Sequence, residues 1–239
     1  KGFGRKNKIE LRYISLNTET DYINSKEEIL LVAFNKENKQ GGYYSTFLNS
    51  LTDPVKIFMD DFSFSGIIKA KESGALIWQK SSAKEFPDIW YSSNKFSEPF
   101  KISRANPQQE DYLWHTVELV KWKTFDGKEE EGLLYKPENF VPWKKYPMIV
   151  TFYELRSDRL HSHYYPRPSL SPVNILEYTS NGYLVFVPNI RYTAGNPGEC
   201  AVNYVVSGTK SIIEKGYVDR YKIGIQGQSW GAYQLAYII

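Results

Sequence analysis

Lys222-Ile223-Gly224-Ile225-Gln226-Gly227-Gln228-Ser229-Trp230-Gly231 decides the fold. Its apolar part, 223–226, is long enough for one short strand, and 232–239 starts a helical pattern. Between them Gly227 to Gly231 reads G-x-S-x-G. The match alone is weak. Set between a strand and a helix, it describes a nucleophile elbow, the turn that lifts a serine hydroxyl above the edge of a sheet. Side chains at 227 and 231 would collide with the neighbouring strand and helix. The helix that follows aims its N-terminal dipole at the serine, favouring an oxyanion there. The backbone N–H of Trp230 is then one oxyanion donor.

Upstream of the elbow, 201–215 places Val202, Val205, Val206, Ile212 and Ile213 at helical spacing and ends at Gly216, where a helix C-cap belongs. Further back, 183–187 and 148–153 are nearly continuous apolar runs, the pattern of strands buried on both faces. Two more strands, 117–122 and 132–135, join across Asp126-Gly127. Strand, helix, strand, turn, helix is α/β organisation. Residues 104–111, with Asn106-Pro107 and two glutamines, read as a linker.

Ahead of the linker the pattern changes to short aromatic and β-branched runs at 29–34, 43–48, 55–58, 75–78, 89–91 and 100–102, broken by Gly, Asn, Asp and Pro. The runs repeat at an offset of 45 to 46 residues: Leu31 maps to Ile77, Tyr44 to Trp90, and Asp53-Pro54-Val55-Lys56-Ile57 to Glu98-Pro99-Phe100-Lys101-Ile102. A four-strand unit with a period of about 40 to 50 residues marks a β-propeller blade, against the alternative of a plain antiparallel meander. Two blades cannot close a propeller, so more chain is expected upstream. The expected architecture is a partial β-propeller of about two blades over 1–111, followed over 112–239 by the N-terminal part of an α/β domain.

Composition bounds the function. The chain is 41% hydrophobic, 24% charged and 16% aromatic, too apolar for disorder. Thirty basic residues against 27 acidic ones give +3, no electrostatic case for nucleic acid or an anionic membrane. No apolar run approaches the roughly 20 residues of a membrane helix. One cysteine, Cys200, excludes an intrachain disulfide and leaves the compartment open between periplasmic or secreted and cytoplasmic. It has no nearby His to make it a nucleophile. His161-Ser162-His163 could place two imidazoles on one strand face, yet no third ligand cluster stands nearby and the surrounding Arg159, Tyr164, Tyr165, Pro166 and Pro168 read as a surface loop, so no metal is expected. Glu129-Glu130-Glu131 reads as a solvated hairpin end. Six scattered tryptophans, without basic interleaving, read as core and blade packing.

Lys144-Lys145-Tyr146-Pro147-Met148-Ile149-Val150, Lys215-Gly216-Tyr217-Val218-Asp219 and the elbow stretch closely resemble the prolyl oligopeptidase family of serine peptidases. The resemblance covers roughly 112–239. Over the repeats it is architectural, since that family joins a β-propeller to a C-terminal α/β-hydrolase domain. Gly182-Tyr183, and Arg191 through Gly198, fit the family's loop beyond the fourth sheet strand. The resemblance implies a serine peptidase of short peptides, without cofactor or metal, in which Ser229 is the nucleophile. It also implies that Tyr153 gives a hydroxyl to the oxyanion beside the Trp230 N–H, with Gly227 and Gly231 as elbow glycines. Where the family has glycine or small residues after that tyrosine, this chain has Glu154-Leu155-Arg156; after Gly231 it has Ala232 in place of a second glycine.

In α/β-hydrolases the triad runs Ser, then Asp or Glu, then His. Residues 230–239 hold no acid and no His, while His115, His161 and His163 all precede Ser229. An internal fragment cut at both ends is therefore expected, truncated just after the elbow and inactive alone, its triad partners beyond Ile239. Two other functions stay open: an esterase of small acyl esters, disfavoured by the propeller repeat, and a non-catalytic propeller-bearing binding protein, disfavoured by the intact Ser229.

Overall fold

The computed structural model describes residues 2–17, 22–166, 168 and 171–239, and divides the chain into two units. One comprises Lys1–Pro107 with His161–His163, the other Gln108–Leu160 with Tyr164–Ile239.

The first unit opens with a short helix, α1 (Gly2–Asn7). Strands β1 (Ile9–Ile14), β2 (Glu28–Asn35), β3 (Gly41–Phe47) and β4 (Val55–Asp60) then form an antiparallel meander in sequence order. A second meander follows from β5 (Ser63–Lys69), β6 (Leu76–Ser81), β7 (Asp88–Ser92) and β8 (Phe100–Lys101). The sequence repeat is the spacing between these sheets. Leu31 and Ile77 lie on their second strands, Tyr44 and Trp90 on their third, and Val55 and Phe100 open their fourth.

Successive residues of a strand face opposite ways, and in β3 both faces are covered. Tyr43 packs with Leu76, Trp78 and Phe96, while Tyr44 packs with Leu31 and Ala33. The Phe3 ring meets Tyr44 edge-on at 5.7 Å, which is how six residues with two glycines are held as α1.

In the second unit, the stretch read as a linker contains a 3₁₀ turn at Pro107–Asp111. Strands β9 (His115–Lys123) and β10 (Glu129–Pro137) form a hairpin closed by Gly127 at φ 79°. Then come β11 (Tyr146–Phe152), α2 (Ile175–Ser180), β12 (Leu184–Pro188), α3 (Pro197–Ala201), a π-turn at Val202–Val206, α4 (Ser207–Glu214), β13 (Val218–Gly227) and α5 (Trp230–Ile238). The sheet order is β13-β11-β12-β10-β9. β11 runs parallel to β12 and β13, and β10 antiparallel to β12.

Every residue of β12 is buried. Leu184 and Phe186 join Met148, Val150, Tyr204 and Ile212 on one face, while Val185 and Val187 join Leu133, Tyr135 and Ile175 on the other. A Cβ on Gly208 would fall 2.9 Å from the Trp122 ring, so that glycine lets α4 lie against the sheet. Gly216 follows the helix at φ 88°, in the left-handed conformation of a C-cap. The helix starts earlier than its periodicity indicates, at Pro197, and β13 extends back to Val218 through the exposed Arg220, Tyr221 and Lys222.

His161-Ser162-His163 lies in a turn and coil segment, in agreement with the loop reading. Two sequence expectations are corrected. Trp78, Trp114 and Trp122 are buried as expected of packing residues, but Trp143 is 86% exposed. Glu130 is buried within β10. Among the described residues no helix is long and apolar enough to cross a membrane.

Candidate active site

β13 pairs in parallel with β11, Phe152 opposite Gly227, so both strands end at the same edge of the sheet. Past those ends stand Tyr153 on one chain segment and Ser229 on the other. Ser229 is the N-cap of α5, exposed, at φ 54° and ψ −119°. Its carbonyl accepts the Ala232 N–H at 2.9 Å, and Gln228 O accepts the Gly231 N–H at 2.9 Å, which closes the turn. Positive φ strains a side-chain-bearing residue by about 1–3 kcal/mol.

The two glycines make that turn sterically possible. A Cβ on Gly227 would sit 2.1 Å from Gly231 O; one on Gly231 would sit 2.8 Å from Phe152 O. The elbow helix therefore rests on the ends of both strands. The same Cβ on Gly231 would lie 4.0 Å from Tyr153 Cδ2, so the Tyr153 ring stands against the elbow. Trp230 begins α5, and the first N–H groups of an α-helix have no carbonyl four residues back to accept them. Its indole stacks on Tyr233, centroids 5.1 Å apart and planes at 9°.

Around this edge the structure gathers polar residues that the sequence reading left unassigned. Glu130, read as part of a solvated hairpin end, has its carboxylate 2.6 Å from Arg191 Nε. Glu131 Oε1 accepts the Ser157 hydroxyl at 2.8 Å, and that hydroxyl accepts Asn189 Nδ2 at 2.8 Å. Asn189 Oδ1 in turn accepts the Arg156 and Ser157 N–H groups, at 2.7 and 3.0 Å. The Glu154-Leu155-Arg156 segment after Tyr153 is thereby tied to the chain leaving β12. The Arg156 guanidinium lies 5.5 Å from the Tyr153 ring centroid. One signal for Glu130 was present: alternation carried back from Leu134 through Gly132 places it on the inward face.

The other candidates lie in different settings. His115 is fully buried in β9, parallel to Trp114 and edge-on to Tyr135. In the first unit, His161 Nε2 is 3.6 Å from Asp61 Oδ1 and His163 Nδ1 is 3.2 Å from Ser82 O. Burial pushes the His163 imidazole below its ordinary pKa. Cys200 is buried and accepts the Thr193 N–H at 3.2 Å. Among the described residues no group of three or more His, Cys, Asp or Glu side chains is placed to hold a metal ion.

No family model matches the chain, and no curated protein does. Solved structures do. A putative dipeptidyl aminopeptidase IV from Bacteroides ovatus matches at 18% identity and TM-score 0.67, over 97% of this chain and 33% of its own. A post-proline cleaving enzyme from Rickettsia typhi matches at 16% identity and TM-score 0.61, over 96% and 33%. The AtxE2 isopeptidase with Astexin3-dC4 bound matches at 14% identity and TM-score 0.57, over 96% and 41%. Solved structures whose fold this chain shares are thus prolyl oligopeptidase-family enzymes. The chain spans about a third to two fifths of their length.

Proposed function

We propose that this chain is part of a serine peptidase of the prolyl oligopeptidase type. Residues 1–111 are read as a partial β-propeller of about two blades, and 112–239 as the N-terminal part of an α/β-hydrolase domain ending after the nucleophile elbow. The observation that carries this is Ser229 at positive φ between β13 and α5, on a turn whose two glycines have no room for a side chain.

In the proposed reaction Ser229 Oγ attacks the carbonyl carbon of a short peptide. Its proton passes to a general base, and the carbonyl oxygen takes the negative charge. The Tyr153 hydroxyl and the Trp230 N–H hold that oxygen, helped by the α5 dipole. Collapse breaks the C–N bond, the base returns its proton to the leaving amine, and water then hydrolyses the ester on Ser229. The base and its acid partner are assigned to the part of the solved enzymes' length that this chain does not span. No cofactor or metal enters these steps.

The test is active-site labelling of the full-length protein. A fluorophosphonate should label Ser229 stoichiometrically, and Ser229→Ala should abolish both labelling and cleavage of short peptide anilides. Tyr153→Phe should lower kcat about 10- to 1000-fold, as expected for the loss of one oxyanion donor. Turnover of small acyl esters with no turnover of peptides would favour the esterase; absence of labelling would favour a non-catalytic binding protein.

A further inference from the structure

Tyr192 plays no part in the chemistry above, yet its hydroxyl joins three segments. It donates to the Tyr153 carbonyl. It accepts from the side-chain amide of Gln234, in the second turn of α5. The Tyr192 ring meets the Trp230 indole edge-on, centroids 5.8 Å apart. A phenol has one proton to give and two lone pairs with which to accept. The Tyr153 carbonyl takes the proton and Gln234 one lone pair, so the hydroxyl has no proton left to give a substrate.

Of the three residues Tyr192 meets, Tyr153 and Trp230 are those assigned above to the oxyanion. The third, Gln234, is fully buried, and its Oε1 has no hydrogen-bond partner among the described residues. A buried amide with an unsatisfied acceptor is unfavourable, and what this one supplies is the donor to Tyr192. Other tethers, Ile190 N–H to Glu154 O and Asn189 to Arg156 and Ser157, tie the loop after β11 only to the chain leaving β12. Tyr192 alone among these ties carries the connection on to α5.

We propose that Tyr192 is a positioning residue of the oxyanion site: its hydroxyl fixes the main chain of Tyr153 against the first two turns of α5. The Tyr153 hydroxyl and the Trp230 N–H thereby keep one spacing. This rests on the reading of Ser229 as nucleophile and Tyr153 as oxyanion donor. Small misplacements matter in such a site, since about 1 Å can cost about 100-fold in rate.

The experiment measures kcat and KM of the full-length protein on its best short peptide anilide, at a temperature where melting curves show every variant folded. Tyr192→Phe removes only the hydroxyl and should lower kcat about tenfold with KM changed less than about twofold. Tyr192→Phe added to Tyr153→Phe should cost nothing more, because placement of an absent hydroxyl is immaterial. Gln234→Met, which leaves Tyr192 intact, should lower kcat in the same sense by less. Unchanged kcat in Tyr192→Phe, a loss confined to KM, or losses that multiply with Tyr153→Phe would each overturn the proposal while Ser229 and Tyr153 keep their roles. Full activity in Ser229→Ala would remove the reading beneath it and the proposal together.

Discussion

A serine at φ 54° and ψ −119° is held there by its neighbours, since its own preference is for negative φ. Glycine adopts positive φ without that strain, losing only about 0.5–1 kcal/mol to its looser unfolded chain. Ser229→Gly in the full-length protein should therefore be more stable than Ser229→Ala by about 1 kcal/mol while both are inactive; equal urea midpoints would show that the turn is unstrained. Gly227→Ala should go the other way, by about 1–3 kcal/mol, because the obstructing atoms at 2.1 and 2.4 Å are helix main chain and cannot swing aside. The turn at Ser229 was legible because its demands are local: two glycines, a strand before, a helix after. Alternation signals that Glu130 faces inward, but the contacts of Glu130, Tyr192 and Gln234 were not legible, since their partners lie 61, 39 and 42 residues away in sequence. No short pattern reports a contact at that range.

At the scale of elements, β8 has two residues and is anchored through a strand neighbour. Asp88 of β7 accepts the Ser103 hydroxyl at 2.6 Å and the Ala105 N–H at 2.8 Å, and pairs with Lys101 at 3.2 Å. Burial alone would raise its pKa, but these bonds outweigh burial and hold it below the usual carboxylate range. A folded pKa depressed in this way gives stability that is complete above the unfolded value, about 3.9, and is lost as pH falls through the folded one. Asp88→Asn should cost about 1–3 kcal/mol at neutral pH. It should also flatten the acid limb of stability, read from urea midpoints between about pH 5 and pH 2; an unchanged limb would deny Asp88 that role. The repeat was readable because equivalent strands recur at one offset. The unbroken run at 183–187 was readable because β12 is buried on both faces. The helix α2 escaped notice: Asn174 caps it by accepting the Glu177 N–H, but six residues are too few to show a period.

Over the whole molecule, the units stand on different core chemistry. The first packs aromatic rings, with Phe96 centred 4.8 Å from Tyr43, 5.0 Å from Trp78 and 5.3 Å from Phe58. The second packs a largely aliphatic sheet between helices on two faces. That sheet order has a consequence for synthesis. The β9–β10 hairpin can close as soon as it is made, but among the described strands β11 pairs in the sheet with β12 and β13, both of which follow it in the chain. From Phe152 to Pro188 the ribosome adds 36 residues, which at about 5–20 residues per second takes roughly 2–7 s. Once outside the ribosome, Met148, Ile149 and Val150 wait for an interval of that length as a nascent apolar strand with both edges open. Synonymous rare codons that slow translation after β11 has left the ribosome and before β12 has done so should lower the soluble yield of the full-length protein, while the same codons within 146–152 should not; equal yields would show that the waiting strand is shielded. For β11, the pace of translation is a requirement as real as any contact in the finished sheet.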